Sequence, residues 1–156
     1  MGGSTIIFLM GPTAVGKTDL AISLANEFSL GLISVDASQV YRGLNIGTAK
    51  PAPAVLKKYP HALVDIRDPE DVFSAGAFCK ESVREVHRIV AKRQIPTLVG
   101  GTMFYFAALS DGLDRLPGAD AQFRHDIEAE AQQLGWPALY ERLERLDPEA
   151  AQRIHH

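Results

Sequence analysis

The chain's 156 residues are 46% hydrophobic, 8% aromatic and 22% charged. These proportions describe one globular domain, or one domain with an appendage, and exclude collagen, coiled coil and intrinsic disorder. Net charge is −3 but unevenly spread: residues 37–110 carry ten Lys or Arg against six Asp or Glu, and 111–156 carry five against ten, so the middle of the chain is the candidate surface for an anionic ligand.

The single cysteine, Cys79, has no second thiol to pair with, and the first residues carry no basic stretch ahead of their apolar run. This predicts a cytoplasmic protein without a secretory signal or a membrane span. In chain order, Ser4 and Thr5 lead into Ile6-Ile7-Phe8-Leu9-Met10, an apolar run closed by Gly11 that reads as a strand buried on both faces, as in parallel sheets. Thr18 to Phe28 places Leu20, Ala21, Leu24, Ala25 and Phe28 at helical spacing, and Gly31 to Val35 reads as a second strand ending at Asp36. Residues 42–60, with Gly43, Gly47, Pro51, Pro53 and Pro60, read as a long loop with room for one helical turn, and Ala62 to Ile66 as a third strand.

Ser74 is the expected cap of a helix whose inner row is Cys79, Val83, Val86 and Val90, with Lys80, Glu81, Arg84, Glu85, Arg88 and Lys92 outside. Pro96 is expected to stop that helix, Thr97 to Val99 to form a short buried strand, and Gly100-Gly101-Thr102 to open onto a helix from Met103 to Leu109. Beyond Pro117-Gly118 the strand-like runs vanish, and three helices follow with punctuation at Asp120, Gly135-Trp136-Pro137 and Asp147-Pro148. The expected architecture is α/β: a P-loop NTPase-like parallel sheet flanked by helices over residues 1–114, and the start of an acidic all-helical insert over 115–156.

Gly11-Pro12-Thr13-Ala14-Val15-Gly16-Lys17-Thr18 matches the phosphate-loop pattern G-x-x-x-x-G-K-S/T, between a strand and an amphipathic helix as its mechanism requires. The glycines let successive N–H groups converge on an anion and the helix adds its positive end, while Lys17 supplies a mobile charge and Thr18 is the expected Mg²⁺ ligand. A nucleoside triphosphate and a simple diphosphate present the same oxygens to such a loop. Two carboxylates end apolar runs. Asp65 reads either as a turn carboxylate beside Asp68-Pro69 or as a metal ligand. Asp36 is better placed, since the strand after the first helix is expected next to the loop strand, with both carboxyl ends opening on one crevice.

Asp36-Ala37-Ser38-Gln39-Val40-Tyr41-Arg42-Gly43 and Asn45-Ile46-Gly47-Thr48-Ala49-Lys50-Pro51 form the second dense cluster of chemistry. Asp36 can accept a proton, Ser38 and Gln39 can read base edges, Tyr41 can stack or pack, Val40 can pack, and Arg42, Lys50, Lys57 and Lys58 can track phosphates. Together with the phosphate loop, Asp65-Ile66-Arg67-Asp68-Pro69 and Leu98-Val99-Gly100-Gly101-Thr102, these ordered blocks resemble the tRNA dimethylallyltransferases, also called tRNA isopentenyltransferases.

The resemblance implies transfer of a dimethylallyl group from dimethylallyl diphosphate to N6 of the tRNA adenosine immediately 3′ of the anticodon, with Mg²⁺ required; in the sequence itself no membrane or obligate protein partner is evident. Carried over, it implies that residues 11–18 bind the diphosphate, that Asp36 is the general base, and that Lys17 and Thr102 act with it. It also implies that Asp36, Ala37, Ser38, Gln39, Thr102 and Arg124 meet the tRNA anticodon stem-loop. Ala37 stands where the family commonly has serine, Asn45 where aspartate is common, and family members extend well past residue 156. The alternatives are a small-molecule P-loop kinase using ATP, with Asp36 orienting an acceptor hydroxyl, and a nucleotide switch relying on Asp65. His155 and His156 lack a third ligand and are expected to be surface residues.

Overall fold

The computed structural model describes residues 5–113 and 120–154. The chain divides into two compact units, Met1–Leu113 and Asp114–His156. In the first, β1 (Ile7–Met10) feeds the glycine loop and α1 (Lys17–Glu27), followed by β2 (Leu30–Val35), α2 (Pro53–Lys58), β3 (His61–Ala62), α3 (Ala75–Ala91), β4 (Ile95–Gly100) and α4 (Met103–Asp111). All strand pairings are parallel, in the order β1-β4-β2-β3, with Phe8 opposite Leu98 and Ile33 between Leu98 and Ala62.

Successive strand residues point to opposite faces, and the two faces bury separate clusters. Leu30, Leu32 and Val99 join Ile7, Leu9, Ala21 and Leu24 on the α1 side. Ile33, Val35 and Leu98 join Phe8, Phe78, Ile89, Tyr105 and Phe106 on the side of α3 and α4. The Tyr105 ring stacks on Phe78 at 4.5 Å between centroids, and its hydroxyl donates to the Phe73 carbonyl at 3.1 Å. Burial raises the Tyr105 phenol above its ordinary range, with smaller contributions from Tyr41 and Asp36.

Several expectations change. β2 does not neighbour β1; β4 lies between them. β1 therefore ends the strand order among the described residues, and Ile7 to Leu9 are half-buried and Met10 exposed instead of enclosed on both faces. The third strand is only His61–Ala62, because Leu63 and Asp65 take left-handed backbone angles, φ 65° and 55°, that no strand accommodates. α3 is capped by Ser74, whose hydroxyl accepts from the Ala77 N–H at 3.2 Å, but its buried row is Phe78, Ser82 and Ile89. Cys79 and Val86 flank that row against the core, and Val83 is 47% exposed. α3 ends at Ala91, so Pro96 does not stop it; that proline lies within β4, one residue before β1 joins at Thr97.

The second unit holds α5 (Ala121–Leu134), α6 (Trp136–Leu146) and α7 (Pro148–Ala151). Asp120 caps α5 by accepting from the Phe123 N–H at 3.0 Å, and Asp147 caps α7 from the Ala150 N–H at 2.9 Å. Arg142 on α6 donates to both Glu130 oxygens of α5, at 2.8 and 2.9 Å. The expected Pro117-Gly118 boundary, Arg115, His155 and His156 lie outside the described residues.

Candidate active site

The loop between β1 and α1 bends through two left-handed residues, Ala14 (φ 68°) and Gly16 (φ 81°), the second capping α1. Such alternation turns main-chain N–H groups inward and makes a nest for an anion at the helix's positive end. The Lys17 ammonium folds back and donates to the Pro12 carbonyl at 2.5 Å, which keeps the charge over the loop. The loop forms one wall of a cavity of about 290 Å³ that also takes in Thr18, Asp19, Ser34, Asp36, Gln39, His61, Gly100 and Gly101.

Two glycines bring the opposite wall within reach. β4 intervenes between β1 and β2, and at its carboxyl end it presents Gly100 and Gly101 instead of side chains. A Cβ on Gly100 would lie 2.0 Å from the Val35 carbonyl oxygen, and one on Gly101 3.3 Å from the Gly11 oxygen and 4.0 Å from Lys17 Nζ. Asp36 and the phosphate loop therefore share one cavity although their strands are not neighbours.

Asp36 is held from one side. Its Oδ1 accepts from the Ser38 N–H at 2.8 Å, the Ser38 hydroxyl at 2.6 Å and the Gln39 N–H at 3.1 Å. Among the described residues, Oδ2 takes no hydrogen bond. The Thr102 hydroxyl accepts from the Ala37 N–H at 3.2 Å, tying the start of α4 to the same turn. Asp36, Ala37, Ser38, Gln39 and Thr102 are thus one hydrogen-bonded group.

Other predicted residues sit elsewhere. Val40 is fully buried and Tyr41 packs against the core, so only the front of the 36–41 segment lines the cavity. The Gln39 amide is already engaged: its oxygen accepts from the Ser34 hydroxyl at 3.0 Å, and its nitrogen donates to the Thr48 and Ala49 carbonyls, each at 3.2 Å. Reading a base edge with that amide requires breaking these bonds. Lys50 does not track phosphates, because its side chain is 3% exposed and its ammonium binds Asp65 Oδ1 at 2.6 Å. Asp65 is accordingly a structural carboxylate outside the phosphate-loop cavity. Arg42 pairs with Asp68 at 2.9 Å on the surface, while Lys57 and Lys58 are exposed. Arg124 is exposed on α5 of the second unit.

Sequence reasoning passed over Ser34, Asp19 and His61. Ser34 carried a signal, as a polar residue inside the apolar run Leu32 to Val35. His61 Nδ1 lies 2.7 Å from the Tyr59 carbonyl, and its Nε2 is buried without a partner among the described residues. Burial lowers the imidazole below its ordinary 6.5, and the bond to the Tyr59 carbonyl partly opposes this.

A parallel sheet whose first strand delivers a G-x-x-x-x-G-K-T loop to a helix N-terminus defines a P-loop α/β protein. The IPP transferase family model matches residues 39–156. The chain is 51% identical over 154 residues to a tRNA dimethylallyltransferase of Alkalilimnicola ehrlichii, covering 99% of this chain and 49% of that one. It resembles the solved tRNA isopentenylpyrophosphate transferase of Bacillus halodurans, with a TM-score of 0.69 and 38% identity over 98% of this chain and 51% of that one. The Staphylococcus epidermidis tRNA delta(2)-isopentenylpyrophosphate transferase gives a TM-score of 0.67 and 32% identity over 98% and 50% of the two chains. The chain belongs to the IPP transferase family. It spans about half the length of the relatives it matches.

Proposed function

We propose that the protein is a tRNA dimethylallyltransferase, moving a dimethylallyl group from dimethylallyl diphosphate to N6 of the tRNA adenosine immediately 3′ of the anticodon and giving N6-isopentenyladenosine. The observation that carries this reading is the shared cavity: a phosphate loop with Lys17 and a carboxylate, Asp36, line one cleft in a chain of this family. The family match does not favour a small-molecule kinase, and the pairing of Asp65 with Lys50 removes the carboxylate a nucleotide switch would use.

Adenine's exocyclic amine is a poor nucleophile because its lone pair is delocalised into the ring. It attacks C1 of the dimethylallyl group as the C1–O bond breaks, the electron pair leaves with the diphosphate, and the amine proton passes to Asp36. Oδ1 is anchored by three donors, so Oδ2 is the oxygen that takes it. The N–H groups of residues 11–18 and the Lys17 ammonium meet the charge that grows on the leaving diphosphate.

A magnesium ion suits this site. No group of three or more His, Cys, Asp or Glu able to cage a metal occurs among the described residues, and Mg²⁺ ordinarily needs only one or two protein oxygens beside waters and phosphate. The Thr18 hydroxyl would hold it beside the loop, with Asp19 and Asp36 in the same cavity. When bound it neutralises diphosphate charge.

The amine is reached only if the base leaves its stack. Ala37, Ser38, Thr102 and Asp36 itself then face the RNA of the anticodon stem-loop, with Gln39 shaping the turn and Arg124 adding a contact from the second unit. Exposed Lys57, Lys58 and Arg42 supply backbone attraction that weakens as salt rises. A cytoplasmic location accords with a tRNA substrate, and no described helix is long and apolar enough to cross a membrane.

Mass spectrometry of an anticodon stem-loop RNA incubated with the protein, Mg²⁺ and either dimethylallyl diphosphate or ATP tests the reading. Gain of one five-carbon unit on adenosine with the diphosphate is expected. No gain from a version extended to the relatives' full length overturns it, and ADP formation with unmodified RNA points to the kinase.

A further inference from the structure

We propose that Lys50 is a positioning residue for Asp36, an inference that rests on the transferase reading above. An ammonium has three protons, and here each has an acceptor: the Tyr41 carbonyl at 2.7 Å, Asn45 Oδ1 at 3.3 Å and Asp65 Oδ1 at 2.6 Å. The Lys50 side chain is 3% exposed while that of Asp65 is 42% exposed, so the cation is enclosed and its partner opens to water. A single buried charge thereby joins the end of the Asp36 turn and the adjoining 43–51 loop to the 63–66 turn further along the chain.

The connection to Asp36 runs through Gln39. The Asp65 N–H donates to the Gln39 carbonyl at 3.1 Å, beside the Ile66 N–H on the Val40 carbonyl at 2.8 Å. The Gln39 amide holds the Thr48 and Ala49 carbonyls, next to Lys50 in sequence, and its main-chain N–H holds Asp36 Oδ1 at 3.1 Å. Apart from the Ser34 hydroxyl on its amide oxygen and Asp36 itself, the groups that hold Gln39 belong to segments that Lys50 ties together.

Backbone geometry supports the same reading. Ala49, Leu63 and Asp65 are non-glycine residues at φ 50°, 65° and 55°. Such conformations persist where surroundings over-determine them, and here they flank the ammonium in sequence and across the ion pair. Without it, the Tyr41 carbonyl and Asp65 lose their donor, the 43–51 and 63–66 segments are free to relax, and Asp36 loses its fixed position. The phosphate loop, on the other wall, depends on none of these bonds.

The test is steady-state kinetics of Lys50→Met in a version extended to the relatives' full length, with dimethylallyl diphosphate and an anticodon stem-loop RNA. The expected result is a kcat lowered on the order of 100-fold, as for a base displaced by about 1 Å, with both KM values within about threefold of the parent. Asp65→Asn, which leaves an oxygen for Lys50, is expected to lose far less. A Lys50→Met kcat within about threefold of the parent overturns the proposal, as does a kcat loss accompanied by equal weakening of donor binding. Should Lys50→Met fail to fold, Gln39→Met, at the other end of the same chain of bonds, must show the kcat loss, and an unchanged kcat there is equally fatal. A parent that transfers no five-carbon unit defeats the transferase reading instead, so the two failures are distinct.

Discussion

The Ser38 hydroxyl donates to Asp36 Oδ1 at 2.6 Å, the shortest of three hydrogen bonds converging on that one oxygen. The carboxylate is gripped by a turn made of its own next three residues, which leaves its orientation fixed and its other oxygen available. Ser38→Ala keeps both main-chain donors and removes the hydroxyl. We expect kcat to fall about 10-fold, a loss of roughly 1.4 kcal/mol suited to one charge-assisted hydrogen bond. Asp36→Asn is expected to lose 10²–10⁴-fold, the usual range for a positioned base. Single-turnover transfer to a stem-loop RNA measures both, and an Asp36→Asn variant as fast as the parent removes Asp36 from the chemistry.

Gly100 is required by the contact between β4 and β2. Its added Cβ would meet the Val35 oxygen at 2.0 Å and carbon at 2.6 Å, both main-chain atoms that cannot swing away. Gly100→Ala is expected to destabilise the first unit by at least the roughly 1–3 kcal/mol typical of an overpacked core. Gly101→Ala meets the Gly11 oxygen at 3.3 Å and Lys17 Nζ at 4.0 Å, so it is expected to fold and to weaken donor binding. Urea midpoints separate the two, and equal midpoints would contradict this division.

Local signals in the sequence carried the parts of the fold that local physics decides. Ser74 at α3, Asp120 at α5 and Asp147 at α7 cap their helices because the capping group is a neighbour in sequence. What escaped reading depends on distant partners. Residues 62–66 carry an apolar pattern fit for a strand, but burying Lys50 on Asp65 goes with a left-handed turn at Leu63 and Asp65. Lys50 reads in sequence as a phosphate contact like exposed Lys57 and Lys58, and its structural role shows only in the three acceptors gathered by the fold. The placement of β4 between β1 and β2 is likewise a long-range choice. The doublet Gly100-Gly101 was its one local trace, and its meaning depends on Val35 and Gly11 lying opposite.

Lys17 is expected to serve donor binding and the departing charge together. Its ammonium donates to the Pro12 carbonyl at 2.5 Å, a bond that a diphosphate oxygen is expected to replace. Lys17→Ala deletes a charge-assisted hydrogen bond of about 1.5–3 kcal/mol. Titration calorimetry with dimethylallyl diphosphate and Mg²⁺ should show affinity lowered about 10- to 100-fold. Undiminished affinity would move the diphosphate away from residues 11–18.

Stability should fall as the solution is acidified through the range of His61. Burial lowers this imidazole below its ordinary 6.5, and its Nε2 has no partner among the described residues, so folding disfavours its charged form. Below pH 6.5 the unfolded chain binds a proton that the folded chain refuses. Protons then favour unfolding, and stability drops from its level above pH 6.5 until the folded-state imidazole also titrates. In His61→Gln this component disappears, while carboxylates titrating at lower pH act on both proteins alike. Urea midpoints at pH 7.5 and 5.5 should therefore differ more in the parent than in the variant, even if His61→Gln is less stable at both. Equal pH dependence in the two would mean that His61 is already solvated and free to charge in the folded state.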